Sequence, residues 1–237
     1  MERAVALVGG GLRSAVMTAL ERDRCDLHVL HVQTGTRASI VEQVAFERLC
    51  ESLGGTQATM TSLPHFAELS RHPLFDARAS LADSDINAAV PPGYVPGLLP
   101  AMLNVAVTEA IRVGAHRILV GACESPRGTR QTPSMAPDQA KEFYQVFNEL
   151  LAIMVPGATL SVAAPLIDLS YAEIVKLGHR LHVPFEHTWS CLLGGSRPCN
   201  HCPGCYDRAL GFVQAGLADP ATDGAQRPTQ ARQTTSH

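Results

Sequence analysis

The sequence predicts an α/β fold in which a largely parallel sheet carries helices on both faces. Short apolar runs alternate along the chain with segments of helical hydrophobic spacing, and glycines stand at several of the junctions. Strand signals that alternate with helix signals are typical of parallel sheets built from strand–helix–strand units. The 237 residues suit one domain, or one domain with a small appendage.

The first half of the chain shows this alternation from its start. Residues 3–8 form a continuous apolar run, as expected of a strand that is covered on both faces. After a glycine turn, apolar residues recur at helical spacing and predict a first helix; they are Leu12, Ala15, Val16, Ala19 and Leu20. The following segments are predicted as a strand at 26–32, a helix at 41–53, a strand at 56–62 and an irregular stretch with five prolines at 63–97.

The second half continues the pattern with longer connections. Its predicted elements are a helix at 98–113 that ends at Gly114, a strand at 117–121, a polar surface loop at 124–136, a helix at 138–154 and a strand at 159–163. Ser170 and Glu173 then form a capping-box pattern, because each side chain can bond the backbone amide of the other residue. This pattern predicts a last helix that runs to about residue 181.

Composition narrows the class of protein. Hydrophobic residues make up 46 % of the chain and charged residues only 17 %, so a sizeable core is available. The formal net charge of −3 argues against a general nucleic-acid binder, which would be strongly basic. No stretch reaches the roughly 18 apolar residues of a membrane-spanning helix, and the N-terminus lacks a signal-peptide cleavage pattern. We therefore expect a cytoplasmic protein without membrane contact.

Four of the seven cysteines lie within fifteen residues near the C-terminus. Their spacing is Cys191-x7-Cys199-x2-Cys202-x2-Cys205, and in a cytoplasmic chain such clustering favours a metal over disulfides. Four thiolates leave no open position on the metal. The pattern therefore predicts a structural, tetrahedral zinc site with sulfur atoms about 2.3 Å from the ion.

Two other interpretations of these cysteines stay open. The interval Cys-x2-Cys-x2-Cys also begins the bacterial ferredoxin motif, so an iron–sulfur cluster is one alternative, and free thiols or disulfides are the other. Pro198, Pro203 and Gly204 are predicted to supply turns between the ligands, and His201 is predicted to be a surface residue. The remaining cysteines are expected to be small core residues; they are Cys25, Cys50 and Cys123.

A glycine-rich turn joins the first strand to the first helix. At this point of an α/β sheet the backbone can approach phosphates, and the helix N-terminus offers unpaired amides. Ser14 can add a hydroxyl, and Arg13 a cationic fork that suits phosphate oxygens. The turn matches neither Gly-x-Gly-x-x-Gly nor a Walker A motif, so a simple tight turn is the alternative. The candidate nucleotide-binding residues are Val8, Gly9, Gly10, Gly11, Leu12, Arg13 and Ser14.

Together, the turn and the cysteines resemble the 7-cyano-7-deazaguanine synthases, a family of the PP-loop ATP pyrophosphatase superfamily. That family begins with a strand, Ser-Gly-Gly-x-Asp-Ser and a helix, and it ends with Ser-Cys-x7-Cys-x2-Cys-x2-Cys and an arginine. Here Gly10, Gly11 and Ser14 match the first motif, and Ser190-Cys191 to Arg208 match the second. The similarity covers about residues 3–220. Further matching stretches are Tyr94-Val95-Pro96 and Ala164-Pro165-Leu166-Ile167-Asp168-Leu169.

The resemblance implies three segments: a PP-loop, Rossmann-like nucleotide-binding domain at 1–185, a four-cysteine zinc segment packed on it at 186–220, and a tail at 221–237 that we expect to be disordered. It also implies an ATP-dependent ligase that converts 7-carboxy-7-deazaguanine and ammonia to the nitrile, in a queuosine or deazapurine pathway. ATP activates the carboxylate and releases pyrophosphate, with Mg²⁺ normally sharing the phosphate charge. The implied partners are ATP, the deazapurine-like carboxylate and a second copy of the chain in a homodimer.

Several residues depart from the family motifs where the chemistry would take place. Arg13 stands at the aspartate of the glycine turn, and Gly9 stands at its first serine. An arginine cannot hold magnesium as a carboxylate can, but it can contact phosphate directly. In the substrate-facing motif Pro-Asp-Cys-Arg-x-Glu-Phe, Asp138 matches, whereas Gln139 and Ala140 replace the cysteine and the arginine.

The candidate catalytic residues are therefore Arg13, Ser14 and Asp138. Three functions fit the sequence: a working synthase, a related enzyme that activates another carboxylate with ATP, and a non-catalytic paralogue that binds a nucleotide or a partner. The resemblance favours the first function. The substitutions at Arg13, Ala140 and Leu98, the last of which stands at an arginine of the family, favour the other two.

Overall fold

In the computed structural model, the described residues are 1–53, 57–79, 81, 93–124, 127–128, 133–134, 136–157 and 159–221. The strands are β1 (Arg3–Leu7), β2 (Asp26–Gln33), β3 (Gln57–Ser62), β4 (Arg117–Val120), β5 (Arg127–Gly128), β6 (Pro133–Ser134) and β7 (Ser161–Ala163). The helices are α1 (Leu12–Glu21), α2 (Ser39–Leu53), α3 (His65–Leu69), α4 (Leu98–Val113), α5 (Lys141–Met154), α6 (Tyr171–Arg180) and α7 (Pro203–Ala215). Two 3₁₀ turns span Pro137–Gln139 and Phe185–His187.

Five parallel strands form the central sheet in the order β3-β2-β1-β4-β7. The middle strand, β1, pairs with β2 from Arg3 opposite Asp26, and with β4 from Ala4 opposite Arg117. Because all five strands run in the same direction, their carboxyl ends lie at one edge of the sheet, and crossover connections join them. The predicted α/β fold with a parallel sheet is confirmed.

Apolar residues on the two faces of the sheet form two separate cores. In β1, Ala4 and Ala6 pack with α1, α2, α6 and α7, whereas Val5 and Leu7 pack with α4 and α5. This division follows from the alternation of side chains along a strand. The sheet is therefore the middle of three layers, as the continuous apolar run at residues 3–8 predicts.

Local signals set two helix boundaries where the sequence predicts them. Helix α4 ends at Gly114, whose φ of +68° is a left-handed conformation that glycine adopts without strain. Helix α6 begins at the predicted capping box. There the Glu173 N–H donates to Ser170 Oγ at 3.3 Å, and the Ser170 N–H donates to Glu173 Oε2 at 2.8 Å.

The helix predicted at 138–154 starts later than expected. A 3₁₀ turn covers Pro137–Gln139, and Ala140 is extended with φ −79° and ψ 150°, so α5 begins at Lys141. The break accompanies the burial of Asp138, since the Tyr144 hydroxyl donates to the Asp138 carbonyl oxygen at 3.0 Å and folds the turn onto the helix. Within the predicted loop at 124–136, the described residues pair as the short antiparallel strands β5 and β6.

The prediction that Pro203 and Gly204 supply turns is wrong, because both lie in the first turn of α7. Proline is favoured at the first helical position, where its missing N–H leaves no acceptor unpaired and its fixed φ suits the helix. Phe212 of α7 then reaches the core that holds Phe185, with 5.2 Å between the ring centroids. The short helix α3 also lies in the stretch that was predicted to be irregular.

Among the described residues, no helix combines the length and the apolar character needed to cross a membrane. Residues 222–237 lie outside the described part of the chain, so the disordered tail stays a prediction. The division of the chain at residues 185 and 186 also stays a prediction.

His31 of β2 lies next to the start of the glycine turn and is 2 % exposed. Its Nδ1 is 2.9 Å from the Val8 carbonyl oxygen, and its ring stacks on Phe46. Because a carbonyl oxygen only accepts, Nδ1 carries the proton, and Nε2 is an acceptor without a partner among the described residues. Burial lowers the pKa of His31, and the hydrogen bond to Val8 opposes this in part.

We predict that His31 makes the fold sensitive to mild acid. A lowered pKa means that stability is complete above the ordinary histidine pKa of about 6.5, and that it is lost as the pH falls toward the folded-state pKa. The loss is about 1.4 kcal/mol for each pH unit between the two pKa values. Urea denaturation above and below this range should show a smaller loss in His31→Gln than in the wild type. The exposed His179→Gln is the control, and an unchanged loss in His31→Gln would contradict the prediction.

Candidate nucleotide and metal site

The glycine turn at residues 8–14 lies at the carboxyl edge of the sheet, directly after β1. The Val8 N–H donates to the Leu30 carbonyl oxygen at 2.8 Å, so the turn leaves from the ladder between β1 and β2. The side chains of Val8 and Leu12 are 3 % and 1 % exposed and belong to the core. Of these two predicted nucleotide-binding residues, only the backbone can face a ligand.

Gly10 gives the turn its shape. Its φ is +79°, and a Cβ at this position would lie 2.5 Å from the Glu42 carbonyl oxygen and 2.9 Å from the Ala45 Cβ. The turn therefore rests directly on α2, which only glycine permits. Within the described part of the chain, nothing would lie within 4 Å of a Cβ on Gly9, so no described residue packs against the turn at this position.

Helix α1 presents its N-terminus to this turn. Gly11 precedes the helix, no side chain caps it, and its first turn holds no acidic residue. The first amides of a helix have no acceptor within the helix, and its dipole favours negative charge there. The Ser14 hydroxyl donates to the Gly11 carbonyl oxygen at 3.0 Å, so its hydrogen is used within the turn. Such a turn suits an anion.

The Arg13 side chain reaches from α1 across to the 3₁₀ turn before α5. Its Nη1 donates to Gln139 Oε1 at 2.7 Å and lies 3.6 Å from Cys123 Sγ. Within the described part of the chain, no carboxylate is at ion-pair distance from the guanidinium. Arg13 therefore places a buried positive charge beside the turn, and the charge of Asp207 is among the causes that keep its pKa high.

Asp138 lies next to this pair and is 9 % exposed. Burial raises the pKa of its carboxyl above the usual range, although a hydrogen bond from Gln139 and the charge of Arg13 act in the other direction. The Gln139 Nε2 is 3.5 Å from Asp138 Oδ1. The three predicted catalytic residues are thus brought to one edge of the sheet, with Gln139 between Arg13 and Asp138.

The four predicted metal ligands converge at the C-terminal segment. The Sγ atoms of Cys191, Cys199, Cys202 and Cys205 all lie within 4.8 Å of one another. A tetrahedron with zinc–sulfur bonds of about 2.3 Å separates its sulfurs by about 3.8 Å. The Cys199 and Cys205 sulfurs are already 3.9 Å apart, so this donor set fits a metal ion such as zinc.

Backbone amides support these sulfurs. The Cys199 N–H donates to Cys191 Sγ at 3.4 Å, the Leu192 N–H to Cys202 Sγ at 3.4 Å, and the Cys202 N–H to Cys199 Sγ at 3.3 Å. Amide donors stabilise the thiolate, which is the form of cysteine that binds a metal. His201 is exposed and its Nδ1 lies 2.7 Å from the Cys199 carbonyl oxygen, in agreement with the predicted surface position.

The cysteine segment contacts the glycine turn. The Trp189 N–H, two residues before Cys191, donates to the Gly10 carbonyl oxygen at 2.9 Å. Gly194 lies so close to the loop after β2 that a Cβ on it would collide with the Arg37 carbonyl oxygen. The candidate metal site and the candidate nucleotide site therefore form one continuous structure.

A family model described as "Queuosine biosynthesis protein QueC" matches residues 3–216, which include both the glycine turn and the four cysteines. The chain belongs to the QueC family. A relative from Chlorobium phaeobacteroides strain BS1, named 7-cyano-7-deazaguanine synthase, is 34 % identical over 92 % of this chain and 95 % of that protein. A relative of the same name from Methanothrix thermoacetophila is 34 % identical over 93 % of this chain and 98 % of that protein.

A solved structure, NMN synthetase from Francisella tularensis, matches 91 % of this QueC-family chain and 77 % of its own, with 14 % identity and a TM-score of 0.46. That similarity is too low to bear on the site. The relatives in the QueC family match nearly their whole length, so the glycine turn and the cysteines lie within one shared scaffold.

Sequence reasoning matched Arg208 to the arginine that ends the family motif, but it predicted no contact for Arg208 or Trp189, two residues that connect the parts of this QueC-family site. Trp189 bonds the glycine turn through its backbone, which no side-chain pattern reveals. Arg208 is only 6 % exposed and bonds residues before the cysteines. Its position three residues after Cys205 puts both on one face of α7, but the turn predicted at Pro203 concealed the helix.

We predict that Gly10→Ala destabilises the protein and that Gly9→Ala does not. Alanine at position 10 would have to adopt a left-handed conformation, which costs about 1–2 kcal/mol, and it would also displace the Glu42 carbonyl oxygen. Urea denaturation should show a loss of at least about 2 kcal/mol for Gly10→Ala and less than about 0.5 kcal/mol for Gly9→Ala. Equal losses in the two variants would refute this account of the turn.

Proposed function

We propose that this QueC-family chain is a 7-cyano-7-deazaguanine synthase, an ATP-dependent enzyme of queuosine biosynthesis. The observation that carries the proposal is the similarity to proteins of that name, at 34 % identity over 92 % of the chain. The matched region includes the glycine turn, Asp138 and the four cysteines. The reaction would convert 7-carboxy-7-deazaguanine and ammonia to the nitrile.

The glycine turn is the proposed site for the phosphates of ATP. A carboxylate oxygen is a poor leaving group until it carries AMP, and the activation releases pyrophosphate, whose charge must be stabilised. The start of α1, where Gly11 has no side chain to cap the helix, and the guanidinium of Arg13 both favour an anion here. Gln139 holds the guanidinium in place before a ligand arrives.

Magnesium does not fit residues 8–14 as a direct ligand set. The ion prefers carboxylate, phosphate and water oxygens, and this turn contains no carboxylate. We assign no magnesium ligand within it. In this proposal Arg13 offsets part of the phosphate charge directly, which is a task that a guanidinium performs without a metal.

Asp138 is the proposed acid–base group. Ammonia attacks an activated carboxylate only in its neutral form, so a proton must leave the ammonium ion or the amine adduct. Because burial raises the pKa of Asp138, its carboxylate is a stronger base than that of an exposed aspartate. Its place beside Gln139, opposite Arg13, would put this base near the activated carboxylate.

A second candidate is an ATP-dependent enzyme that activates a different carboxylate. The hydrogen bond between Arg13 and Gln139 favours it, because this contact puts a guanidinium at the aspartate position and an amide at the cysteine position of the synthase motifs. A different arrangement of charge at the place where the acid would lie can suit a different acid. A relative that binds a nucleotide without catalysis is the third function, and the same assay distinguishes all three.

We predict that the purified protein releases pyrophosphate from ATP when it receives 7-carboxy-7-deazaguanine and ammonia. In Arg13→Gln the rate should fall at least about tenfold, because the neutral amide no longer offsets the phosphate charge. Arg180→Gln on the exposed face of α6 is the matched control and should keep the wild-type rate. A coupled pyrophosphate assay measures both variants.

The outcomes separate the candidate functions. Release of pyrophosphate with another carboxylic acid only would favour the second candidate. Binding of ATP in a calorimeter without any release would favour the non-catalytic relative. Wild-type turnover by Arg13→Gln would rule out the role assigned to the guanidinium.

We also propose that the four cysteines hold one structural zinc ion. Four sulfur ligands fill a tetrahedral shell and leave no position for a substrate. In this role the ion would fix Cys191 against the start of α7, where Cys202 and Cys205 lie. Because Trp189, two residues before Cys191, donates to the Gly10 carbonyl oxygen, the ion would also help to hold the glycine turn in place.

We predict that Cys202→Ser loses the metal, whereas Cys25→Ser keeps it. Cys202 is the residue before α7, where serine is a favourable helix cap, so the variant removes a ligand without harming the helix. Metal analysis should find one zinc per wild-type chain. Loss of the ion should destabilise the fold by several kcal/mol. One zinc retained by Cys202→Ser, or iron with sulfide in the wild type, would overturn the zinc assignment.

The homodimer and the cytoplasmic location remain predictions of the family resemblance. Helix α5 presents an exposed apolar row at one face, which is compatible with a contact between subunits. The row consists of Val146, Leu150, Ile153 and Met154.

A further inference from the structure

The Arg208 side chain of α7 is held by an ion pair with Asp219, which follows the helix. Its Nε and Nη2 donate to the two carboxylate oxygens of Asp219 at 2.6 and 2.8 Å, which is the bidentate geometry that only arginine offers. The guanidinium carbon also lies 5.4 Å from the centre of the Phe212 ring. Both members of the ion pair are nearly buried, with side-chain exposures of 7 % and 8 %.

The remaining donors of Arg208 hold the residues that precede the cysteines. Nη1 donates to Thr188 Oγ1 at 2.6 Å, and Nη2 donates to the Phe185 carbonyl oxygen at 3.0 Å. The Thr188 hydroxyl in turn donates to the Phe185 carbonyl oxygen at 2.7 Å. These three bonds close a ring that fixes the backbone of the 3₁₀ turn and the residue after it.

The residue after Thr188, Trp189, connects this fixed backbone to the glycine turn. The Trp189 N–H donates to the Gly10 carbonyl oxygen, and a Cβ on Gly11 would lie 3.5 Å from the Trp189 carbonyl oxygen. In a trans peptide the C=O and the following N–H point in opposite directions. The bond to Trp189 therefore directs the Gly11 N–H away from the cysteine segment.

We propose that Arg208 is a positioning residue that orients the Gly10–Gly11 peptide for an ATP phosphate by way of Thr188 and Trp189. The inference deepens the proposed function and rests on the glycine turn as the phosphate site. Residues 9–11 have no side chains to hold their own backbone, so the orientation of their amides depends on contacts from outside the turn. Trp189 supplies one such contact, and Arg208 holds the residue before it in place.

The test uses Trp189, the single tryptophan of the chain, as a fluorescent reporter. Arg208→Lys keeps a positive charge near Asp219 but loses the planar fork that reaches Thr188 and Phe185. We expect this variant to retain its metal, to shift the emission of Trp189 and to bind ATP about tenfold more weakly. Thr188→Val should act in the same direction while it leaves the pair of Arg208 and Asp219 intact.

The matched control is Arg112→Lys, which breaks the bidentate pair with Glu109 on α4, on the other face of the sheet. A purely structural role of Arg208 would lower the melting temperature alone. A positioning role additionally increases hydrogen exchange of the amides at residues 8–14 and weakens ATP binding, while Arg112→Lys does neither.

Hydrogen exchange separates this inference from the proposed function. If the wild type binds no ATP, the function fails, but faster exchange at residues 8–14 in Thr188→Val still supports the positioning role. If Arg208→Lys and Thr188→Val both keep the wild-type emission of Trp189 and the wild-type exchange at residues 8–14, the inference is overturned. Effects no larger than those of Arg112→Lys would overturn it as well.

Discussion

The hydrogen bond from the Trp189 N–H to the Gly10 carbonyl oxygen joins opposite ends of the chain at the candidate site. The glycine turn needs such a contact because residues 9–11 offer no side chains for packing. On one side the turn rests on α2, with Gly10 against the Glu42 carbonyl oxygen. On the other side it is held by Trp189. A parallel sheet brings loop ends to one edge, and the C-terminal segment completes that edge.

This contact links the cysteine cluster to the glycine turn. Trp189 lies two residues before Cys191, and its indole N–H donates to the Cys191 carbonyl oxygen at 2.8 Å. A segment as short as residues 185–205, with few apolar side chains, gains little from packing alone. The hydrogen bonds from backbone amides to the cysteine sulfurs and the buried guanidinium of Arg208 hold the segment in place. The segment can then support the glycine turn, whose residues 9–11 have no side chains that could hold its backbone.

Local patterns in the sequence predicted much of this arrangement. The apolar run at residues 3–8, the capping box at Ser170 and the spacing of the cysteines each depend on neighbours within a few residues, so each can be recognised without a structure. The break at Ala140 and the helix that begins at Pro203 were missed because tertiary contacts decide them. Asp138 is buried beside Tyr144, and the sequence around Pro203 fits a turn as well as it fits the start of a helix.

Local patterns could not predict the contacts between distant segments, since nothing near Arg208 in the sequence indicates Thr188 and nothing near Gly10 indicates Trp189. The residues that connect the site are therefore less predictable than the residues that form it, because their role lies in the geometry between elements.

The electrostatics of the turn follow from burial as much as from charged residues. Burial raises the pKa of Glu42 to about 7, against a hydrogen bond from Thr36 that lowers it, and burial also raises the pKa of Asp138. These two carboxyls are therefore less readily ionised than exposed ones, whereas Arg13 stays charged at any physiological pH. In the proposed function, a phosphate at the start of α1 would meet backbone amides and the guanidinium of Arg13, beside carboxyls whose ionisation burial disfavours.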